Sequence, residues 1–115
     1  MLISAFEDGR FYAIALENQG EPIGIVTFSI AVDTADIEGV VVVSSERRKG
    51  YGVKLIDKAE QEMIALGVTK AFLEVREGNT PAKMLYSGLG YNQISIRKNY
   101  YNDGENAIVM AKDLK

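Results

Sequence analysis

The chain contains neither cysteine nor histidine. Without cysteine there are no disulfides and no thiolate nucleophile, a composition that suits a reducing compartment. Without histidine the commonest general base and metal ligand is missing, so acid–base chemistry falls to Asp, Glu, Tyr or Lys. We therefore expect no metal site.

Positive charge is also scarce, since 13 Lys and Arg against 16 Asp and Glu leave a net charge of −3. That balance argues against a general nucleic-acid-binding protein. No apolar run reaches the roughly 18–20 residues of a membrane span, and the start lacks a basic-then-apolar signal peptide. We expect a soluble, cytoplasmic protein with no membrane or nucleic-acid partner, folded as one domain over residues 1–115.

Apolar periodicity predicts the order β-β-β-α-β-α-β-β, an α/β fold with a mixed sheet. The run 37–43 ends in four valines and suits a strand buried on both faces. An amphipathic helix follows and ends at Gly67, and a second helix has Thr80 as its N-cap and ends near Gly90. The predicted strands are 11–16, 23–32, 37–43, 70–76, 92–97 and 106–112.

The stretch "SSERRKGYG" gathers positive charge and glycine at the turn between the valine strand and the first helix. The first N–H groups of a helix lack intrahelical acceptors and carry the positive end of its dipole, so they can bind an anion. Glycine removes the β-carbons that would keep a phosphate from the backbone. A plain solvated turn is the alternative. The spacing excludes both the P-loop and the dinucleotide fingerprint, whose third glycine position is Leu55.

"RRKGYG" does match Q/R-x-x-G-x-G/A, the pyrophosphate loop of the GNAT superfamily of acyl-CoA N-acyltransferases. "LEVREGN", "AKMLYSGLGY", "RKNYY" and "ENAIVM" follow in the chain. Together they resemble the RimI-like branch, the ribosomal-protein alanine N-acetyltransferases. The resemblance implies a three-layer GNAT fold: a central mixed sheet with helices on both faces and two parallel strands splayed apart to admit acetyl-CoA.

The same resemblance assigns the cofactor site. The backbone of the valine strand would hold the pantetheine arm, and the turn and helix start would hold the pyrophosphate, with Asn79 and Tyr86 assisting. A turn residue before a helix is the equal alternative for Asn79. The residues implied for acetyl-CoA are Val40, Val41, Val42, Arg47, Arg48, Lys49, Gly50, Tyr51, Gly52, Val53, Asn79 and Tyr86.

Glu74 and Tyr86 match the family's general base and general acid. Glu74 would take the amine proton directly or through water, more readily if the cleft raises its pKa. A phenol stays protonated at neutral pH, so Tyr86 could reprotonate the leaving thiolate. The alternatives are a solvated carboxylate and a core tyrosine.

The loop of "RKNYY" resembles one that covers the incoming peptide, which predicts acceptor binding by Arg97, Tyr100, Tyr101 and Glu105. A solvated hairpin tip would explain the charges equally well. The resemblance implies transfer of an acetyl group to a protein N-terminal α-amino group, with a ribosomal protein as the candidate acceptor. A lysine or small-molecule amine acceptor stays open, as does a non-catalytic acyl-CoA-binding module.

The chain departs from this branch at its start, where a first strand and one or two helices normally precede the hairpin. "MLISAFEDGRFYAI" resembles the tail of the second helix running into the second strand. We therefore expect the first strand and first helices to be missing and a sheet edge to be exposed, through which the chain could dimerise. A chain cut short, a partner chain that completes the cleft and a naturally shortened protein all stay open.

Overall fold

The computed structural model describes residues 2–47 and 49–114, so Arg48 lies outside the described residues. Seven strands and two α-helices follow one another as β-β-β-β-α-β-α-β-β, with a short 3₁₀ turn at Ser44–Glu46. The elements are β1 Leu2–Asp8, β2 Phe11–Asn18, β3 Glu21–Ala31, β4 Thr34–Val42, α1 Tyr51–Ala65, β5 Lys70–Arg76, α2 Thr80–Gly88, β6 Asn92–Arg97 and β7 Ala107–Asp113.

The strands form one mixed sheet in the order β1-β2-β3-β4-β5-β7-β6. The pair β4–β5 is parallel and every other pair is antiparallel. This confirms the predicted mixed sheet of the GNAT fold.

Residues 2–8 form a strand, so the prediction that they are the tail of a helix is wrong. Asp8 pairs with Phe11 across a two-residue turn, and Gly9 takes the positive φ of 62° that such a turn requires. β1 therefore covers the edge of β2 that was expected to be exposed, and the first strand of the sheet is not missing. Any dimer formed through this edge would have to use β1, and it stays a prediction.

Both described helices lie on the same face of the sheet, which corrects the expectation of helices on both faces for this part of the chain. The crossovers β4–α1–β5 and β5–α2–β6 run in the same direction across the sheet, and right-handed crossovers then place both helices on one side. The Tyr91 hydroxyl, just after α2, donates a hydrogen bond of 2.8 Å to Glu60 of α1. Neither helix combines the length and apolarity needed to cross a bilayer.

The hydrophobic core fills the space between the helices and the sheet. Leu55, Ile56 and Met63 of α1 are fully buried there against alternate residues of the strands. The other face of the sheet stays open in the described chain, with Phe6 and Phe11 about half exposed. Successive side chains of β5 point to opposite faces of the sheet, so every second residue of β5 lies on the open face.

Candidate active site

The two parallel strands separate part-way along their length. β4 and β5 pair from Thr34 opposite Lys70 to Ile37 opposite Leu73. Beyond this point β4 continues to Val42 and β5 continues to Arg76 with no pairing between them. A gap therefore opens in the middle of the sheet, as the resemblance implied.

A β-bulge accompanies the gap. Thr27 pairs with Gly39 and Phe28 pairs with Ile37, so Glu38 is an extra residue without a partner on β3. Such a bulge bends its strand and increases the local twist, which turns the end of β4 away from β5.

Past the bulge, one side of β4 is bonded to β3, and the other side faces the gap. Val40, Val41 and Val42 pair with β3 only, and on the gap side the Val42 carbonyl accepts a hydrogen bond from the Arg47 side chain. Val41 is 58% exposed, and its neighbours are half-buried. The prediction of a strand buried on both faces is therefore wrong here, because among the described residues no helix covers the open face and no strand closes the gap.

The glycine turn after β4 opens α1 as predicted. Gly50 is the residue before the helix and has a φ of 81°, the left-handed region that favours glycine. A β-carbon on Gly50 or Gly52 would meet nothing within 4 Å, so the space beside this backbone is open. A cavity of about 250 Å³ lies here, lined by Val42, Glu46, Arg47, Gly50, Tyr51, Gly52, Val53 and Leu85.

Two of the basic side chains at this turn have partners within the protein. Arg47 donates from Nε to the Val42 carbonyl at 3.2 Å, which ties the turn to the end of β4. Lys49 forms an ion pair of 2.9 Å with Glu46, which raises the pKa of Lys49. The contribution predicted for Arg48 lies outside the described residues.

Glu74 points to the open face of the sheet, because Leu73 and Val75 on either side of it are buried beneath the helices. It lines a cavity of about 560 Å³ that begins where β4 and β5 separate. The other residues of this cavity are Asp36, Ile37, Glu38, Phe72, Leu73, Arg97, Tyr100, Tyr101 and Val109. The structure thus brings the predicted base together with three of the four predicted acceptor residues.

Within this cavity Glu74 is paired. Arg97 Nε lies 2.9 Å from Glu74 Oε2, and the Arg97 guanidinium carbon lies 5.5 Å from the centre of the Tyr100 ring. Tyr100 and Tyr101 meet edge to face at 5.1 Å. The cavity therefore has an aromatic wall next to the carboxylate.

Tyr86 lies on the opposite side of the sheet, in the helix layer. It is half-buried, packs against the core and meets Tyr91 edge to face at 5.9 Å. Burial raises the pKa of Tyr86, so the phenol is protonated at neutral pH. Tyr86 lines neither cavity described above, although its neighbour Leu85 lines the one at the glycine turn.

Asn79 is the N-cap of α2, because its side-chain oxygen accepts a hydrogen bond of 3.2 Å from the Ala82 backbone N–H. This corrects the prediction of Thr80 as the cap and places Thr80 and Pro81 in the first turn. The capping contact accounts for Asn79 structurally, and its role in holding the cofactor stays a prediction.

Glu105, unlike the other predicted acceptor residues, does not line the large cavity. Its carboxylate is 3.0 Å from Arg76 and accepts a hydrogen bond of 2.8 Å from the Gly78 backbone N–H. The Arg76 hydrogen bond lowers the pKa of Glu105. These contacts account for Glu105 as an anchor of the loop, and we leave it out of the proposed acceptor site.

The sequence reasoning missed Asp36 and Glu38, which add two carboxylates to the large cavity. A signal was present, since both alternate along β4 with Ala35 and Ile37, which are buried on the helix face. The period of two would have placed them on the same open face as Glu74.

A mixed sheet with two splayed parallel strands, a glycine turn at the end of one strand and a carboxylate on the other defines the class of acyl-CoA-dependent acyltransferases. Residues 2–91 match the model of the Acetyltransferase (GNAT) family. The chain therefore belongs to the Acetyltransferase (GNAT) family. It is an N-acetyltransferase, and acetyl-CoA is its acyl donor.

Particular relatives agree with this assignment. The chain is 38% identical to the [ribosomal protein bS18]-alanine N-acetyltransferase of Haemophilus ducreyi, over 84% of this chain and 77% of that protein. It is 34% identical to the enzyme of that name from Escherichia coli K12, over 89% and 71%. The crystal structure of the ribosomal-protein-S18-alanine N-acetyltransferase from Escherichia coli superposes with a TM-score of 0.87 at 32% identity, over 95% of this chain and 72% of that one.

Proposed function

We propose that this enzyme acetylates the free N-terminal α-amino group of a protein, with a ribosomal protein as the candidate acceptor. The observation that carries the proposal is the placement of Glu74 in an open cavity at the start of the strand gap. Similarity to the bS18-alanine N-acetyltransferases supports the choice of acceptor. A cytoplasmic location fits such a substrate and is part of the proposal.

Backbone groups of α1 and β4 would bind the coenzyme. The first amides of α1, from Tyr51 to Val53, would bind the pyrophosphate, since open space lies beside Gly52. The gap side of β4 from Val40 to Val42 would then bond the pantetheine arm as a neighbouring strand would, once Arg47 releases the Val42 carbonyl. This path leads along the gap toward Glu38, where the large cavity begins.

Glu74 and Tyr86 would carry out the two proton transfers of the reaction. An α-amino group has a pKa near 8 against about 10.4 for lysine, so more of it is neutral at pH 7. Glu74 would accept the proton that the amine loses as its nitrogen bonds to the acetyl carbon, directly or through water. Tyr86, protonated at neutral pH, would give its proton to the thiolate released when the carbon–sulfur bond breaks. Asp36 and Glu38 attract the amine electrostatically.

The coenzyme site is tested by Gly52→Asp. The new carboxylate would enter the proposed anion site, yet an acidic residue in the first turn favours the helix, so folding is retained. We expect the dissociation constant of acetyl-CoA in calorimetry to rise at least about ten-fold, a change of about 1.4 kcal/mol. Gly88→Asp is the matched control, since a side chain there also meets open space, and it should leave binding unchanged. If both variants bind acetyl-CoA equally well, the pyrophosphate does not bind at the start of α1.

The acceptor class is tested with peptides whose N-termini are free or formylated, by measuring thiol release. We expect turnover with free N-termini only. Turnover of blocked peptides that carry lysine, or of small amines alone, would assign the enzyme to those acceptors. Thermal stabilisation by acetyl-CoA without thiol release would indicate a binding module.

The acid role is tested by Tyr86→Phe. Loss of a positioned general acid costs about 10²–10⁴-fold in rate, so we expect kcat to fall by at least about 100-fold. Tyr12→Phe is the control: Tyr12 is also half-buried and its ring stacks on Phe28 at 5.3 Å, away from the gap. Undiminished kcat in Tyr86→Phe would remove the phenol from the mechanism.

A further inference from the structure

Arg76 follows Glu74 by two positions on β5, so both side chains reach the open face of the sheet. Arg76 does not line the large cavity. We propose that Arg76 is a positioning residue, which holds the loop carrying Tyr100 and Tyr101 as a wall of the acceptor cleft and so sets acceptor affinity. This inference rests on the proposed function.

One guanidinium group joins three residues of the loop to the end of β5. Arg76 Nη1 lies 2.9 Å from Asp103 Oδ2 and 3.0 Å from Glu105 Oε1. The guanidinium carbon also lies 4.0 Å from the centre of the Tyr101 ring, within cation–π distance. The second oxygen of Glu105 accepts the Gly78 N–H, which fixes that carboxylate to the chain just after β5.

The loop folds into a turn that presents both carboxylates to Arg76. Gly104 donates to the Tyr101 carbonyl at 2.8 Å, and Tyr101 donates to the Glu105 carbonyl at 3.2 Å. The Glu105 N–H donates to Asp103 Oδ1 at 3.0 Å. Two carboxylates held this closely repel each other, so the turn depends on the cation between them.

The aromatic contacts carry this anchoring to the cleft. The Tyr101 ring lies against Arg76 and meets the Tyr100 ring edge to face. Tyr100 in turn lies beside Arg97, which pairs with Glu74. The series from Arg76 through the two tyrosines and Arg97 to Glu74 therefore begins and ends on β5. Loss of Arg76 would therefore release the aromatic wall formed by Tyr100 and Tyr101. The glycine turn proposed to bind acetyl-CoA lines a different cavity and should be unaffected.

Arginine is specifically required at this position, because its planar group can stack on the Tyr101 ring while its Nη1 bonds two carboxylates. Lysine keeps the charge but lacks the plane. The test compares Arg76→Ala and Arg76→Lys with Lys70→Ala, the control. Lys70 is the cation at the other end of β5, in an ion pair of 3.4 Å with Asp113.

The measurements are the KM of a free N-terminal peptide, the KM of acetyl-CoA, kcat, and hydrogen exchange of the Tyr101 and Gly104 amides. For Arg76→Ala we expect the peptide KM to rise at least about ten-fold, the acetyl-CoA KM to stay within about two-fold, and exchange of both amides to quicken. Arg76→Lys should show the same split to a smaller extent. Lys70→Ala should match the unaltered enzyme in every measurement.

An unchanged peptide KM in Arg76→Ala overturns the inference, as does an equal rise in both KM values. If Arg76→Ala does not fold, Glu105→Gln removes one of the two charges at nearly constant shape and must raise the peptide KM alone. The proposed function fails separately, when the unaltered enzyme acetylates no free N-terminus. In that case the proposed effect of Arg76 on acceptor affinity is also refuted. The anchoring of the loop is tested separately by hydrogen exchange, and unchanged exchange of the two amides in Arg76→Ala would refute it.

Discussion

Tyr91→Phe removes one hydroxyl group from a buried ionic cluster that joins α1 and β7 to the segment between α2 and β6. The Tyr91 hydroxyl donates to Glu60 Oε2 at 2.8 Å, and Lys112 of β7 lies 2.7 Å from Glu60 Oε1. Tyr91 is 1% exposed and Glu60 is 9% exposed. Phenylalanine keeps the ring, so the variant removes the hydrogen bond while retaining the packing against Tyr86.

The expected loss follows from the charge on the acceptor. A hydrogen bond to a charged group contributes about 1.5–3 kcal/mol. Lys112 remains to compensate Glu60, so we expect the lower part of that range, about 1.5–2 kcal/mol. With an unfolding entropy of about 2.1 cal/mol/K per residue, 115 residues give roughly 240 cal/mol/K, and the melting temperature should fall by about 6–8 °C.

Urea denaturation and calorimetry measure this change, with Tyr100→Phe as the control. Tyr100 is 47% exposed, so removing its hydroxyl should change the free energy of unfolding by less than about 0.5 kcal/mol. Lys112→Met, made in the unaltered protein and in Tyr91→Phe, should give a non-additive loss of stability in the double variant, because Tyr91, Glu60 and Lys112 form one cluster. A loss below about 0.5 kcal/mol in Tyr91→Phe would refute the reasoning, because water would then be serving Glu60 as well as the phenol does.

Two further predictions concern the backbone of β4 and alkaline pH. Gly24→Ala places a β-carbon 2.6 Å from the Val41 carbonyl oxygen, so the strands must shift. We expect the free energy of unfolding, measured in urea, to fall by about 1–3 kcal/mol. Gly39→Ala is the control, because its β-carbon would meet only an ordinary contact at 3.6 Å and should be tolerated. Burial, the hydrogen bond to Glu60 and its charge raise the pKa of Tyr91 far above its ordinary value of 10.0. Above pH 10 the unfolded chain therefore loses a proton that the folded chain keeps, and stability falls with rising pH by up to about 1.4 kcal/mol per unit. Urea midpoints from pH 9 to 11 should fall less steeply in Tyr91→Phe; equal slopes would contradict the assignment.

Local pattern was enough for the elements whose periodicity is strong. β5 was predicted with its observed bounds, because Ala71, Leu73 and Val75 alternate with polar residues and can only be buried together as a strand. The helix after the glycine turn followed from its apolar stripe. Glycine marked the turn itself, because the backbone adopts a left-handed conformation at Gly50 and leaves open space beside it.

The first strand could not be predicted in this way. Residues 2–8 carry a weak pattern, and their conformation is decided by pairing with β2 across the turn at Gly9. Exposure of the valine strand was missed for a related reason. Whether Val41 is covered depends on the gap between β4 and β5 and on which face the helices occupy, and neither is a local property.

By itself the sequence determined the class of fold and the glycine turn, because each depends on neighbours within a few positions, and its resemblance to the RimI-like branch named the two candidate catalytic residues. Only the tertiary structure decided how the charges are used. Glu74 pairs with Arg97, and Glu105 pairs with Arg76, across 23 and 29 positions of the chain. Such partners come together only when the strands are ordered in the sheet, so the ion pair of Glu105 with Arg76 could not be predicted from the sequence.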